Sequence, residues 1–440
     1  MEIKARWSRG VFNDNRSIRP NRRRFPAVPP SNNLEQGIMN TATIGYPIYD
    51  CDHHYYEPPE AFLRHLPPEF KKDFQYVEVN GRTKLVVGGV LSDYIPNPTF
   101  SVVAEVGSHE GWYRGNNPQG LSIREYGGKP VKSRAEFHSG KAHLELMDRE
   151  GIYGAVILPT LASVIEERLE HKPEAIQALF HALNLWVAEE YGFGNGRQFP
   201  VGAINLSDVE VACRELDFLL EAGARAVLVR PAPVAGYRGS RSHGLPEFDP
   251  FWKKINDAGI FVVHHVSDSG YDRTYRRWTA GGKGEWRAFE KDAFGEMLDP
   301  IGRPISDTLS ALVCHGVFDR FPNVRIAVME CGSSWLEALI KRFEYVSHKM
   351  PEAFAQDPVQ SLRQHVFVAP FYEEPVEKVV ELMGPNRVLF GSDWPHPEGL
   401  AKPLDFFNDI AGLPEPHKKM IMHDNLKGLL EGRRDDAMPR

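Results

Sequence analysis

The chain has 440 residues, 42% hydrophobic and 25% charged, a globular composition that excludes wholesale disorder. Its 52 basic and 59 acidic residues leave a net charge of −7, so the overall balance does not point to nucleic acid, and no run approaches the ~18 apolar residues of a membrane span. Four cysteines without a CxxC pair exclude a disulfide framework, and 38 glycines with 34 prolines imply many loops. These features lead us to expect a cytoplasmic enzyme without nucleic-acid or membrane partners; a small-molecule substrate and a homodimer or higher homo-oligomer are expected as well.

Residues 1–40 are Arg-rich, with Arg6, Arg9, Arg16, Arg19, Arg22, Arg23 and Arg24, and carry little apolar periodicity. They read as a disordered arm. One domain is expected over 41–440, where strand-like and helix-like segments alternate. In chain order they are a strand at 47–52, a helix at 142–150, a strand at 154–158 and a helix at 173–191. A strand at 199–204, a helix at 208–222, a strand at 224–229 and a helix at 250–258 follow. The pattern continues with a strand at 260–265, a helix at 306–320, a strand at 324–330, a helix at 334–348, a strand at 365–369, a helix at 374–383 and a strand at 387–390. Such alternation implies parallel βαβ units, and eight strands fit an α/β (β/α)8 TIM barrel. No GxGxxG or GxxxxGK[ST] follows the first strand, which weakens nucleotide-binding readings. Two connections are far longer than a barrel requires, at about 57–140 and 267–304. The first contains a hairpin signal at Asn80-Gly81. The second is rich in arginine and aromatic residues, including Arg276, Arg277, Trp278, Trp286 and Arg287. Both leave the C-terminal ends of strands, where barrel sites are built, and both read as lids.

Three strand ends carry metal-binding chemistry. In Tyr49-Asp50-Cys51-Asp52-His53-His54-Tyr55-Tyr56-Glu57-Pro58, residues two apart face the same way, so Asp52 and His54 can point inward together and His53 outward. In Val263-His264-His265-Val266, only one of the adjacent histidines can face inward. In Phe390-Gly391-Ser392-Asp393-Trp394-Pro395-His396, Asp393 lies where an apolar strand opens into a loop. Taken singly, each string also suits a polar strand end, a packed core histidine or a turn cap.

Together these blocks resemble the amidohydrolase superfamily, in particular its amidohydrolase-related branch, which contains aminocarboxymuconate-semialdehyde decarboxylase and the resorcylate and carboxyvanillate decarboxylases. DCDHHYYEP is similar to the first-strand motif of that branch, GVFDRFPNVRIAVMECGSSW to its sixth-strand block and LFGSDWPHPEG to its final strand. The resemblance spans roughly 48–430. It implies metal ligands at Asp52, His54, His265 and Asp393, with His265 chosen over His264 because HVSDSGY resembles the text that follows the family's ligand. Asp52 departs from the branch's usual His or Glu. Glu330 departs further, standing where the decarboxylases carry a catalytic histidine. A carboxylate there can bind the ion, accept a proton from its water, hold a substrate amine, or orient His265 from behind.

The expected function is metal-dependent hydrolysis of a C–N or C–O bond, with Zn2+ the first choice of ion and Mn2+ the second. The ion lowers the pKa of its water toward ~7, Asp393 takes and returns the proton, and His396 and His315 are candidates to steady the oxyanion. The alternative is non-oxidative decarboxylation of an aromatic or unsaturated acid. A third reading is a barrel that binds metal or ligand without catalysis. For the substrate, Arg276, Arg277, Arg287 and Arg114 are candidates to pair a carboxylate, and Tyr55, Tyr56, Trp112, Trp278 and Trp394 to offer a flat apolar face.

Overall fold

The computed structural model describes residues 44–92, 94–236, 239–279 and 293–432. The arm expected at 1–40, and Trp286 and Arg287 of the second long connection, lie outside the described residues.

The strands order themselves as the alternation requires. Tyr49–Tyr55, Gly154–Pro159 and Gln198–Pro200 form one parallel sheet in that sequence. Gly202–Ala203, Ala226–Leu228, Phe261–His265, Ile326–Met329 and Val366–Val368 form a second, also parallel and in chain order. Parallel neighbours need crossover connections, and helices supply them. Pro173–Glu190, Val209–Glu221, Asp249–Ala258, Gly302–Cys314 and Leu336–Lys349 each return the chain to the start of the next strand. The helix expected at 306–320 is broken at His315-Gly316 into Gly302–Cys314 and Val317–Arg320.

Backbone hydrogen bonds link the two sheets at both margins. Val201 N–H bonds Ile157 O at 3.0 Å and Ile204 N–H bonds Leu228 O at 3.1 Å, so 198–204 is one interrupted strand shared by both. At the other margin Leu389 N–H bonds Val368 O and Cys51 N–H bonds Phe390 O, each at 2.9 Å. The strand expected at 387–390 makes no longer ladder than this. A helical turn at Pro385–Arg387 and the loop from Gly391 leave three residues to pair.

Side-chain alternation divides the core in two. Val156, Leu158, Phe261, Val263, Ala327 and Met329 fall in one buried cluster, and their neighbours Ala155, Ile157, Val262, Ile326 and Val328 in another. Strands buried on both faces therefore read as continuous apolar runs, as parallel strands covered by helices do.

The first long connection is built largely from antiparallel pairs. Phe74–Val79 and Arg82–Val87 form the expected hairpin, with Asn80 and Gly81 at φ 52° and 71°, the left-handed pair that a two-residue turn demands. Val102–Val103 pairs with Val131–Lys132. This segment is fastened over the final strand's loop by Gly107 N–H to His396 O (3.2 Å) and His109 N–H to Pro397 O (2.7 Å). Gly107 (φ 67°) permits that approach, because a Cβ there would stand 2.4 Å from Ala401 N. Among the described residues, no helix is long and apolar enough to cross a membrane.

Candidate metal centre

The first strand does not aim its side chains by simple alternation. Tyr49 and Cys51 belong to the inner cluster, and strict alternation from them would turn His53 inward. The register with Gly154–Pro159 shifts between Asp50 and His53, so Cys51 and Asp52 together oppose a single partner residue. This bulge resets the phase and aims Asp52 and His54 at the same point, a use of bulges common beside functional sites. Asp50 fixes it: its Oδ1 accepts from Asp52 N–H and from Ser392 N–H, both at 3.0 Å. His53 faces outward as expected, fully buried, with Nδ1 3.0 Å from His143 Nε2 and Nε2 3.2 Å from Asp50 Oδ2.

His265 needs no such device, since it follows Phe261 and Val263 inward, while His264 turns away and contacts Val229 O at 2.7 Å. Glu330 is again irregular. Alternation from Ala327 and Met329 would aim it outward, but its φ of 47° ends the strand and swings the carboxylate inward. Asp393 also has positive φ, 57°. Left-handed backbone costs such residues about 1–2 kcal/mol each, and both of these side chains end at the same centre.

The resulting cluster is tight. One ligand atom each of Asp52, His54, His265 and Glu330 lie within 4.8 Å of one another, and so do those of His54, Glu330, Asp393 and His396. Glu330 therefore stands with Asp52 and His265 in the first group and with Asp393 and His396 in the second. His54 Nε2 is 3.1 Å from Asp52 Oδ1, 3.5 Å from Glu330 Oε2 and 3.6 Å from Asp393 Oδ1. His265 Nε2 is 2.9 Å from Glu330 Oε2, yet neither buried atom makes a hydrogen bond of proper geometry. Two ligands aimed at a common third centre have this arrangement.

The electrostatics agree. Burial opposes ionisation of Asp52, but the neighbouring His265 and His54 prevail and hold its pKa below the usual carboxylate range. Burial likewise opposes Glu330, whose pKa the charge of His265 nevertheless lowers to about 2. Burial would depress His265, but Glu330 and Asp52 raise it to about 10. Asp393 is pushed well up, by burial first and then by the charges of Glu330, Glu398 and Asp52. Carboxylates crowded at one buried point repel, and a divalent cation would relieve the repulsion. Two imidazoles and two carboxylates suit Zn2+ or Mn2+.

Thr160, at the end of the second strand, organises the ring nitrogens. Its hydroxyl donates to Tyr55 O (3.1 Å) and can only accept from His54 Nδ1 (3.5 Å) and His396 Nε2 (3.1 Å). That leaves the Nε2 lone pair of His54 for the cluster, and His396 Nδ1 as acceptor toward Asp393 Oδ1 at 2.6 Å. Burial, then the nearby His54, lowers the His396 pKa to about 3, consistent with a neutral ring. Glu57, fully buried, holds the 160–162 turn by accepting from Thr160, Leu161 and Ala162 N–H at 3.2, 2.9 and 3.0 Å. Glu57→Ala would strand two buried donors and a half-buried third, so we expect a loss of roughly 3 kcal/mol or more in urea unfolding. An unchanged midpoint would show that the turn is held by other contacts.

Several expected site residues stand elsewhere. Tyr55 is fully buried on the outer face of its strand against Trp186 and Tyr191, with ring centroids at 5.6 and 5.3 Å. Trp394 packs on His53, His143 and Phe137 behind the cluster. Arg276, Arg277 and Trp278 lie on the Asp272–Trp278 helix, outside the cavity lining, with Trp278 74% exposed. His315 caps the Gly302–Cys314 helix, exposed and 3.0 Å from Ser242 Oγ. A helix that returns the chain to the start of a strand ends at the opposite pole from the ligands, so His315 cannot serve the reaction. Arg114 is paired with Asp409 (2.8 and 3.0 Å) and Glu110 (2.9 Å). Tyr56 and Trp112 do line the cavity. Asp50, Glu57 and Thr160 escaped the sequence reading; their position at strand ends was the one available signal.

The amidohydrolase family profile matches residues 49–426, a span that contains every residue of the cluster. The chain belongs to the amidohydrolase family. An amidohydrolase from Mycobacterium avium subsp. paratuberculosis K-10 has a structure similar to this one at TM-score 0.82 and 37% identity, covering 88% of this chain and 99% of that one. Gamma-resorcylate decarboxylase of Rhodococcus jostii (strain RHA1) is 24% identical over 304 residues, 66% of this chain and 86% of its own length. A variant 5-carboxyvanillate decarboxylase from Novosphingobium aromaticivorans DSM 12444, with bound manganese and a nitrobenzoic acid, matches at TM-score 0.55 and 16% identity over 88% of this chain and 98% of that one. Three of the curated relatives that this chain matches are named as decarboxylases. They overturn the expectation of hydrolysis and favour the carboxy-lyase alternative for this amidohydrolase-family member.

Proposed function

We propose that this chain is a metal-dependent, non-oxidative decarboxylase of an aromatic or unsaturated carboxylic acid. The two parallel sheets are read as one closed (β/α)8 barrel, supported by the hydrogen bonds at both sheet margins. Asp52, His54, His265 and Glu330 hold one divalent ion, for which the two carboxylates and the manganese of the carboxyvanillate relative bring Mn2+ level with Zn2+. When bound, the ion supplies positive charge that fixes substrate oxygens and draws electron density from the reacting carbon.

Asp393 performs the proton transfer. As the bond between the ring carbon and the carboxylate breaks, CO2 departs and the electron pair stays on the carbon, which takes the Asp393 carboxyl proton. His396 Nδ1, 2.6 Å from Asp393 Oδ1, accepts the carboxyl's hydrogen bond and so holds the acid in place until transfer. The observation that carries this reading is the side-by-side arrangement of cluster and acid: Asp393 lies 3.6 Å from His54 Nε2 on the wall of the same cavity. The test is a panel of aromatic and unsaturated acids offered to Mn2+- and Zn2+-loaded protein, scored for CO2 release beside ester and amide cleavage. We expect CO2 release that chelation abolishes and metal restores. Activity that survives exhaustive chelation, or cleavage without CO2, would overturn the proposal.

A further inference from the structure

The cavity above the cluster is much larger than a single-ring acid requires. It measures about 810 Å³, toward the upper end of the roughly 300–1,000 Å³ of pockets that enclose drug-sized ligands. Its polar end is the metal cluster. A further sector comes from the first long connection and is largely apolar and aromatic: Tyr94, Phe100, Val102, Val103, Trp112 and Tyr113.

The two ends belong to one chamber. Tyr56 stacks on Phe100 at 4.5 Å and 9°, and also on His396 at 5.7 Å and 28°. Ring packing thus runs without a gap from the proton-transfer pair into the aromatic sector. The backbone bonds of Gly107 and His109 to His396 and Pro397 hold the sector at that distance. Charge narrows the occupant further. Burial, and after it the charges of Glu398, Glu373 and Glu296, raise the pKa of the Tyr113 hydroxyl, which places these carboxylates beside the aromatic sector. Arg124, itself on the first long connection, is the one Lys or Arg among the described lining residues. A second anionic group at that end would meet like charge.

We propose that the substrate is an acid with an extended, uncharged apolar tail of at least one further ring, and that Tyr94, Phe100, Val102, Val103, Trp112 and Tyr113 form the tail's binding sector. This rests on the decarboxylase reading for the placement of the carboxylate, and it adds the substrate class.

The test is calorimetric binding to Mn2+-loaded protein of benzoate, biphenyl-4-carboxylate and biphenyl-4,4′-dicarboxylate. The second ring should tighten binding about tenfold or more, the scale of burying an aromatic side chain. The distal carboxylate should cancel that gain. Trp112→Ala should erode the advantage of biphenyl-4-carboxylate over benzoate. Val102→Trp, which fills the sector from a half-exposed position, should do the same if Trp112→Ala fails to fold. Equal affinity for one ring and two, no binding of either acid, a gain retained by the dicarboxylate, or a gain untouched by both substitutions would each overturn the proposal. Because binding is read without turnover, a tail preference in protein that releases no CO2 from any acid would sink the decarboxylase reading and leave the tail sector standing.

Discussion

Asp393→Asn is expected to lower CO2 release by about 10²–10⁴-fold, the range of lost general-acid catalysis, while the ion stays bound. The amide has the carboxyl's shape but no proton to give to carbon. It can keep a contact with His396 Nδ1, so the loop at 393–396 should hold its form. The four residues that converge without Asp393 are Asp52, His54, His265 and Glu330, and they remain intact. Metal content per chain and calorimetric substrate affinity should therefore stay near wild type while turnover collapses. A turnover within tenfold of wild type would show that another acid supplies the proton. Loss of the ion would show that Asp393 is a ligand before it is an acid.

Glu330→Gln should have the next largest effect, because Glu330 alone shares both groups of converging atoms with His54. The substitution keeps the shape and removes a charge 2.9 Å from His265 Nε2. Competition with a chelator should show metal affinity weakened by at least the 10–100-fold typical of a lost supporting contact, and turnover should fall about 100-fold or more. Restoring the relatives' histidine should not rescue it. An imidazole on a backbone at φ 47° projects its nitrogen differently from a carboxylate. Wild-type metal affinity together with wild-type turnover in the Gln variant would remove Glu330 from the centre.

Much of this protein is local in origin and therefore legible in the chain. The alternation of apolar runs with 3.6-residue periodicity places seven of the parallel strands and the helices between them, since those patterns depend on near neighbours. Asn80-Gly81 specifies its hairpin for the same reason: the turn needs two left-handed residues and nothing distant. The strings at the ends of the first, fifth and eighth strands supply the ligand types, and resemblance to the family ranks His265 over His264.

Tertiary structure decided which way those side chains point. Alternation gives partners on a face but not which face, and only neighbouring strands fix the phase. In the first strand a bulge at Cys51-Asp52, anchored through Asp50 to Ser392 some 340 residues away, turns Asp52 and His54 inward where simple alternation would have presented His53. At Glu330 a left-handed backbone reverses the direction expected from Ala327 and Met329. The substrate face was also beyond sequence reading. An aromatic residue in a long connection can line a cavity, as Trp112 does, or stand in solvent, as Trp278 does, and burial depends on contacts with segments far away in the chain.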